Sequence, residues 1–307
     1  MKIGILEPSD FSSHAYRELT KIGEVEKFED GDVVNFIKNK EVLFVRLNYF
    51  LGEELLSEAK NIKYICTPTT GLNHIDLAYV KNQQINIISL KGEADFLSDI
   101  RATAEHTFGL ILSLLRNYKH AFITSANQFD RDKFKGFEIY NNTIGIIGFG
   151  RIGKILAKYV SAFGGVCYYI DEKKEVVSNT EAIRLFSMEE LIRKSNIICL
   201  SASYEGEEII TPEIIDSFEN KYFLNVARGE LVNETYLIHK IKQNFFKGVA
   251  IDVIQNESNE NNNLLKFIEI DEKINFILTP HIGGATFTSM IRTEDFIVGK
   301  LKKIMHH

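Results

Sequence analysis

The stretch TIGIIGFGRIGK, residues 143–154, joins an apolar run to three glycines spaced as G-x-G-x-x-G. The apolar run has the length and composition of a buried β-strand, and RIGKILAKYVSAF continues as a helix. Gly148 permits a tight turn, Gly150 lets the backbone approach a pyrophosphate, and Gly153 lets the helix pack on the strand. The helix N-terminus offers free N–H groups to phosphates. This order of elements predicts a dinucleotide-binding unit.

An acidic residue follows at the position that such a unit requires. The next apolar run ends at Asp171, 18 residues beyond Gly153. A carboxylate there can accept hydrogen bonds from both hydroxyls of an adenosine ribose, and it would repel a 2′-phosphate. The alternative is a glycine-rich turn that serves only packing, and the coincidence of strand, helix and acid weakens it. The sequence therefore favours NAD over NADP.

Strand-like runs and helical patterns alternate along the whole chain, which indicates parallel α/β architecture. One series of strands precedes a long helix predicted over 100–118, and a second series follows it. The predicted strands are 2–6, 42–46, 63–67, 85–90, 143–148, 166–170, 196–200, 222–226, 248–251 and 275–278. An amphipathic helix is predicted over about 286–304, after a polar surface loop at 255–263.

The fold class predicted from this order is α/β, with two Rossmann-like or flavodoxin-like parallel-sheet domains and a cleft between them. The substrate domain comprises residues 1–99 and about 286–307, because the final helix returns to it. The NAD-binding domain comprises residues 100–285.

Composition excludes several classes of protein. The chain has 307 residues, a formal net charge of −6 and 45% hydrophobic residues, so it can fill two cores but offers no broad basic surface to nucleic acid. Its three cysteines, Cys66, Cys167 and Cys199, have neither metal-ligand spacing nor a disulfide pattern. We expect a cytoplasmic protein with no metal site, no signal peptide and no membrane span.

Polar groups with catalytic potential follow three strands of the second series. Arg228 follows the run 222–226, Asp252 and Glu257 follow the run 248–251, and His281 follows the run 275–278. Such strand ends meet at one edge of a parallel sheet. An arginine can bind a carboxylate with two hydrogen bonds, a histidine can exchange a proton with a hydroxyl group, and a neighbouring carboxylate can orient the imidazole.

Each of these side chains also has an ordinary explanation. Arg228 could form a surface ion pair, Glu257 could be a solvated loop acid, and His281 could be a hydrogen-bonded loop histidine. Their coincidence beyond a dinucleotide-binding motif makes hydride-transfer chemistry the better interpretation.

The motifs together resemble the D-isomer-specific 2-hydroxyacid dehydrogenase family, and in particular its phosphoglycerate dehydrogenase-like branch. The resemblance covers nearly the whole chain. It rests on ATAEHT (102–107), TIGIIGFGRIGK, LNVARGELVNE, AIDVIQNE and LTPHIGGAT, and on TTGLNHID (69–76) in the first domain.

The resemblance implies a role for each matching position. Arg228 binds the substrate carboxylate and carbonyl, Glu257 pairs with the histidine, His281 is the general acid and base, and Asp252 holds the nicotinamide carboxamide. The implied cofactor-binding residues are Thr107, Gly148, Gly150, Arg151, Ile152, Gly153, Asp171, Val226, Ala227, Arg228, Asp252, His281 and Gly284. The implied substrate-binding residues are Arg46, Asn48, Thr70, Gly71, Leu72, Arg228 and His281. The resemblance also implies a homodimer formed through the NAD-binding domain.

Two departures from the family pattern affect particular contacts. The family's histidine–proline loop after strand 196–200 is replaced here by SASYEGEE (201–208), which changes the adenosine contacts expected there. Ser258 stands where a proline usually follows the acid motif.

Three functions remain open at this point. The first is phosphoglycerate dehydrogenase-like, with Arg46 and Asn48 holding a distal phosphate or carboxylate. The second is reduction of a smaller substrate, hydroxypyruvate or glyoxylate. The ordinary explanation of Arg46 is a local ion pair. The third is a non-catalytic, NAD-sensing binding protein on the same fold.

Overall fold

The computed structural model describes residues 1–124, 129–173, 180–257, 262–268 and 274–305. The chain divides into two compact units. The first contains Met1–Asp99 and Ala285–His307, and the second contains Ile100–Gly284. Positions 258–261 of the predicted polar loop and the terminal histidines at 306 and 307 lie outside the described residues.

The first unit is built on a five-stranded parallel sheet. Its strands are β1 (Lys2–Ile5), β2 (Glu24–Lys27), β3 (Val42–Phe44), β4 (Tyr64–Cys66) and β5 (Asn86–Ile88), in the spatial order β2-β1-β3-β4-β5. That order is the flavodoxin-like one, and its direction reverses between β1 and β3. Its helices are α1 (Ser13–Thr20), α2 (Val33–Ile37), α3 (Glu53–Leu56), α4 (Leu77–Asn82), α5 (Ala94–Leu97) and α13 (Phe287–Met305).

The second unit is built on a seven-stranded parallel sheet of the Rossmann type. Its strands are β6 (Thr143–Ile147), β7 (Val166–Ile170), β8 (Ile183–Arg184), β9 (Ile197–Leu200), β10 (Tyr222–Asn225), β11 (Gly248–Ile251) and β12 (Phe276–Leu278). The spatial order is β12-β11-β10-β9-β6-β7-β8, which reverses between β6 and β9. Its helices are α6 (Ala102–Leu115), α7 (Tyr118–Thr124), α8 (Arg151–Ala162), α9 (Met188–Lys194), α10 (Pro212–Asp216), α11 (Glu234–Lys242) and α12 (Asn263–Ile268).

Burial explains why these strands could be recognised in the sequence. Every residue of β9, β10 and β11 is buried, since helices cover both faces of the sheet. These strands therefore appear in the sequence as continuous apolar runs. The runs predicted two parallel-sheet α/β domains, and the structure confirms them. The three cysteines are free thiols inside these cores, and burial raises the pKa of Cys167 and of Cys199 to about 12.

The predicted helix over 100–118 is wrong in its extent. α6 ends at Leu115, and α7 begins separately at Tyr118. Between them Asn117 takes a φ of 51°, a left-handed conformation that an α-helix cannot continue through. No helix among the described residues combines the length and apolar character needed to cross a membrane.

Candidate active site

The glycine turn between β6 and α8 has the geometry that the motif predicts. Gly148 has a φ of 89°, and a Cβ there would lie 2.5 Å from the backbone of Ala202. A Cβ on Gly153 would approach the Gly148 carbonyl to 2.8 Å. Around Gly150 a Cβ would meet no atom within 4 Å, so packing inside the protein does not require glycine there. The turn thus leaves open space beside Gly150 at the N-terminus of α8.

Asp171 lies beside this turn. One carboxylate oxygen accepts the Phe149 N–H at 2.7 Å, and the other accepts the Lys173 N–H at 2.9 Å. The guanidinium group of Arg184, on β8, donates to the Asp171 and Lys173 carbonyls. The acid is therefore fixed at the carboxyl end of β7, next to the glycine turn.

Two other positions expected to contact the cofactor have protein partners. The Thr107 hydroxyl is buried and donates to the Thr103 carbonyl at 2.6 Å, within α6. The Arg151 guanidinium donates to the Ile100 carbonyl, and burial lowers its pKa. The side chains of both residues thus donate hydrogen bonds within the protein, and their predicted cofactor contacts remain predictions.

Arg228 follows β10 in a turn that its neighbours fix. The buried Asn225 side chain accepts the Ala227 N–H at 3.0 Å and donates to the Arg228 carbonyl at 2.8 Å. A Cβ on Gly229 would lie 2.1 Å from the backbone of Ile254, so this turn packs directly on the loop after β11. Burial lowers the pKa of Arg228, and the nearby Glu257 acts in the opposite direction. The arginine and the acid therefore share one region at the sheet edge.

His281 and Glu257 are in direct contact. The His281 Nδ1 lies 2.8 Å from a Glu257 carboxylate oxygen, and the two side chains are 23% and 37% exposed. The backbone of His281 has a φ of 52°, and its N–H donates to the Asp252 carbonyl at 2.8 Å. Because Nδ1 faces the carboxylate, the other ring nitrogen, Nε2, is left for proton exchange.

In the first unit, Arg46 is bound by a buried carboxylate. Its Nη2 and Nε lie 2.5 and 3.0 Å from one oxygen of Glu294, whose side chain is 1% exposed, and Nη1 donates to the Ser9 carbonyl. Burial raises the pKa of Glu294, against the effects of the Ser12 N–H and of Arg46. The ion pair that the sequence left open for Arg46 is thus formed, and the predicted contact of Arg46 with substrate remains a prediction.

The remaining residues predicted to bind substrate lie on two loops of the first unit. The Asn48 N–H donates to Glu7 at 3.1 Å. Thr70, Gly71 and Leu72 lie on the loop after β4, where the Thr69 hydroxyl donates to the Gly71 carbonyl at 2.8 Å. Within the described residues, no acceptor is found for the N–H groups of Thr70, Gly71 and Leu72.

Comparison with known proteins identifies the second unit. Residues 108–283 match the family described as D-isomer specific 2-hydroxyacid dehydrogenase, NAD binding domain. The chain belongs to this family. Its Rossmann unit is therefore the NAD-binding domain of a D-2-hydroxyacid dehydrogenase, an NAD-dependent oxidoreductase, and its cofactor is NAD.

Individual relatives agree with the assignment to this dehydrogenase family. The chain is 28% identical to a D-3-phosphoglycerate dehydrogenase of Methanocaldococcus jannaschii over 99% of its own length, but it spans only 57% of that protein. It is 28% identical to a putative 2-hydroxyacid dehydrogenase of Staphylococcus saprophyticus, over 94% of this chain and 87% of that one. The crystal structure of D-lactate dehydrogenase from Aquifex aeolicus with NAD and lactic acid matches with a TM-score of 0.83 and 27% identity. That match covers 100% of this chain and 96% of that one.

Sequence reasoning missed His106, which this dehydrogenase places beside Asp252. His106 Nε2 lies 3.2 Å from the buried Asp252 carboxylate. That carboxylate also accepts a hydrogen bond from Thr279 Oγ1 at 2.6 Å. Two backbone N–H groups donate to it as well, Ile282 at 3.0 Å and Gly283 at 2.9 Å. Burial acts to raise the pKa of Asp252, but these hydrogen bonds outweigh it and the pKa is lowered. Asp252 thus holds the loop that carries His281, and its predicted contact with the nicotinamide remains a prediction.

Glu234 is a second residue that the sequence did not single out. Its buried carboxylate accepts the Gln255 N–H at 2.5 Å and the Asn262 side-chain amide at 3.3 Å, and burial raises its pKa. Gln255 in turn donates from its side chain to the Val232 carbonyl. Glu234 therefore anchors the loop that carries Glu257. The available signal was the position of Glu234 at the end of the arginine motif LNVARGELVNE.

Proposed function

We propose that the chain interconverts a D-2-hydroxy acid and its 2-oxo acid, with Arg228, Glu257 and His281 as the catalytic residues. The observation that carries this proposal is the 2.8 Å contact between His281 and Glu257, formed in an NAD-binding domain that also places the half-buried Arg228 near Glu257. An imidazole held by a carboxylate at one nitrogen can exchange a proton at the other.

Each residue has a distinct task in reduction. NADH, when bound, supplies the hydride that is added to C2 of the 2-oxo acid. The Arg228 guanidinium group binds the negatively charged end of the substrate and polarises the C2 carbonyl. His281 donates the Nε2 proton to the C2 oxygen, which becomes the hydroxyl group. Glu257 contacts Nδ1 and keeps the imidazole oriented, so that Nε2 faces the substrate. Oxidation runs through the same groups in reverse.

The free N–H groups of the 70–72 loop suit the substrate carboxylate. Successive backbone N–H groups without internal acceptors are available to donate hydrogen bonds to an anion. We propose that Gly71 and Leu72 bind the carboxylate there, as the family resemblance implies.

The surroundings of Arg46 favour a substrate without a distal anion. Glu294 occupies two of its nitrogens, and a second carboxylate, Glu7, accepts the backbone N–H groups of Arg46, Leu47 and Asn48. The single positive charge of Arg46 is thus accompanied by two carboxylates, one paired with its side chain and one bound to the adjacent backbone, an arrangement that disfavours a further anion. Of the open functions, reduction of a small 2-oxo acid such as glyoxylate or hydroxypyruvate is therefore supported better than action on a phosphorylated one.

The decisive experiment measures NADH oxidation with glyoxylate, pyruvate, hydroxypyruvate and 3-phosphohydroxypyruvate. We expect turnover on the acids with an uncharged distal end. Turnover on none of them would favour the NAD-sensing binding protein, and a preference for 3-phosphohydroxypyruvate would contradict our interpretation of Arg46.

Glu294→Gln tests the charge balance directly. Because the substitution removes one of the two negative charges near Arg46, we expect kcat/KM for 3-phosphohydroxypyruvate to rise about tenfold, equivalent to ~1.4 kcal/mol. The value for glyoxylate should change little. Asp295→Asn, one residue further along α13, is the control and should leave the ratio of the two unchanged.

Cofactor choice should depend on Asp171. Asp171→Ala removes the negative charge that would repel a 2′-phosphate, so we expect the preference for NADH over NADPH to fall about tenfold, ~1.4 kcal/mol. The measurement is the ratio of kcat/KM for the two cofactors. Glu172→Ala removes a charge from the adjacent exposed residue and serves as the control. A wild-type enzyme that uses both cofactors equally would refute the role of Asp171.

We also propose a homodimer formed through the NAD-binding domain. Large exposed aromatic side chains are concentrated between residues 118 and 163 of this unit: Phe122, Phe129, Phe137, Tyr140 and Phe163. Exposed apolar surface of this kind favours association with another protein surface.

A further inference from the structure

A row of hydrogen bonds links residues within the loop that follows β4. His74 and Thr67 are both buried, and His74 Nε2 lies 3.2 Å from Thr67 Oγ1. Thr67 Oγ1 lies 2.9 Å from Thr69 Oγ1, and Thr69 Oγ1 lies 2.8 Å from the Gly71 carbonyl oxygen. Four residues of one short segment are thus linked in series, all within the first unit.

The direction of every hydrogen bond in this row follows from its last member. A carbonyl oxygen can only accept, so the single hydroxyl proton of Thr69 points at Gly71. Thr69 must then accept from Thr67, whose only hydroxyl proton is used in that bond. Thr67 must in turn accept from His74, which requires a proton on His74 Nε2.

The opposite arrangement would release the loop. If Nε2 carried no proton, it would accept a hydrogen bond from the Thr67 hydroxyl. The Thr67 oxygen would then accept a hydrogen bond from the Thr69 hydroxyl. No proton would remain on Thr69 for the Gly71 carbonyl. The position of one proton on His74 therefore decides whether that carbonyl is held.

Holding this carbonyl also fixes an N–H group. A peptide unit is planar and trans, so the C=O of Gly71 and the N–H of Leu72 point in opposite directions. With the carbonyl turned toward Thr69, the Leu72 N–H points away from Thr69, and no acceptor for it is found among the described residues.

We propose that His74, through Thr67 and Thr69, is a positioning residue that aims the Leu72 N–H at the substrate carboxylate. This inference rests on the proposed function for the importance of the carboxylate, but the proton position can be tested without substrate. His74 acts through the two threonines and does not touch the substrate.

The first test is the tautomer of His74. Two-bond ¹H–¹⁵N correlation spectra of the protein with ¹⁵N-labelled histidine, with His74→Gln to assign the signal, should show a proton on Nε2. A bare Nε2 would overturn the proposal, whether or not the chain turns over any 2-oxo acid.

The second test uses matched pairs of threonine variants. Thr67→Val and Thr69→Val each remove one hydroxyl group at nearly constant volume, and Thr67→Ser and Thr69→Ser retain it. We expect each valine variant to raise KM for the preferred 2-oxo acid about tenfold, with kcat and the Kd for NADH nearly unchanged, and each serine variant to stay within about twofold.

Equal KM values in the serine and valine variants would contradict the proposal. Thr69 is only partly buried, so its pair remains informative if Thr67→Val fails to fold. If the wild-type chain reduces no 2-oxo acid, the proposed function fails, and the tautomer measurement still decides whether the directed row of hydrogen bonds exists.

Discussion

His281→Ala should reduce kcat for 2-oxo acid reduction by about 10²–10⁴-fold, the usual contribution of a positioned general acid. The structure places no other histidine against Glu257 among the described residues, so no second imidazole stands in the same place. NAD binding should survive, because the glycine turn at Gly148 lies on a different loop. The measurements are steady-state kinetics and NADH titration by fluorescence. His239→Ala, which removes an exposed histidine of the same unit, is the control and should retain full activity.

The pH profile distinguishes the proton donor from a residue that only binds. Reduction needs the protonated imidazole, so its rate should fall at high pH, and oxidation of the hydroxy acid should show the reverse trend. A His281→Ala variant with near-normal kcat, verified as folded and able to bind NAD, would overturn the mechanism.

Asp252→Asn should be the most destabilising of the substitutions considered. The Asp252 side chain is 2% exposed, and its carboxylate accepts several hydrogen bonds, among them those of the Ile282 and Gly283 N–H groups. An asparagine amide would place its NH2 group against at least one of these N–H or O–H donors, and that donor would lose its acceptor. We expect a loss of about 3 kcal/mol in the free energy of unfolding. Urea titration measures the whole chain, and hydrogen exchange at Ile282 and Gly283 reports on the loop itself. Asp30→Asn, at an exposed aspartate of the first unit, is the control and should leave both nearly unchanged.

The sign of the pH dependence follows from the lowered pKa of Asp252. A carboxyl group whose pKa is depressed by folding stabilises the native state above its ordinary value of about 3.9. That contribution is lost as pH falls through the lowered value. The difference in stability between wild type and Asp252→Asn should therefore be full at neutral pH and diminish below about pH 4. A difference that persists unchanged in acid would show that the carboxylate charge is unimportant.

The sequence predicted those parts of the fold that are both buried and local. Apolar runs located ten of the strands, but β2 and β8 escaped notice. Both lie at sheet edges, and their residues, EVEK and IR, are largely exposed, so they carry no apolar run. The break between α6 and α7 at Asn117 could not be predicted from the apolar pattern. A left-handed residue changes the path of the backbone, but the apolar residues on either side keep their helical spacing.

Within the candidate site, contacts between neighbouring strand ends could be predicted from the sequence, and contacts with distant helices could not. His281 and Glu257 each follow a strand end, and adjacent parallel strands bring such ends together. The partner of Arg46 could not be found in this way, since Glu294 lies 248 positions away on α13. His106 was hidden for a similar reason: it occupies a helix, and only the packing of α6 on the sheet reveals that it faces Asp252.

The left-handed backbone conformation of His281 lowers the stability of the protein at the residue that its proposed activity requires. A side chain at a φ of 52° costs roughly 1–3 kcal/mol of local strain, whereas glycine adopts this conformation freely and loses only about 0.4–1 kcal/mol through its greater freedom in the unfolded chain. A library of variants selected for heat resistance alone should consequently accumulate glycine at this position, and the same library selected for turnover should keep histidine. Stabilising this protein by directed evolution will therefore require that activity be screened at every round.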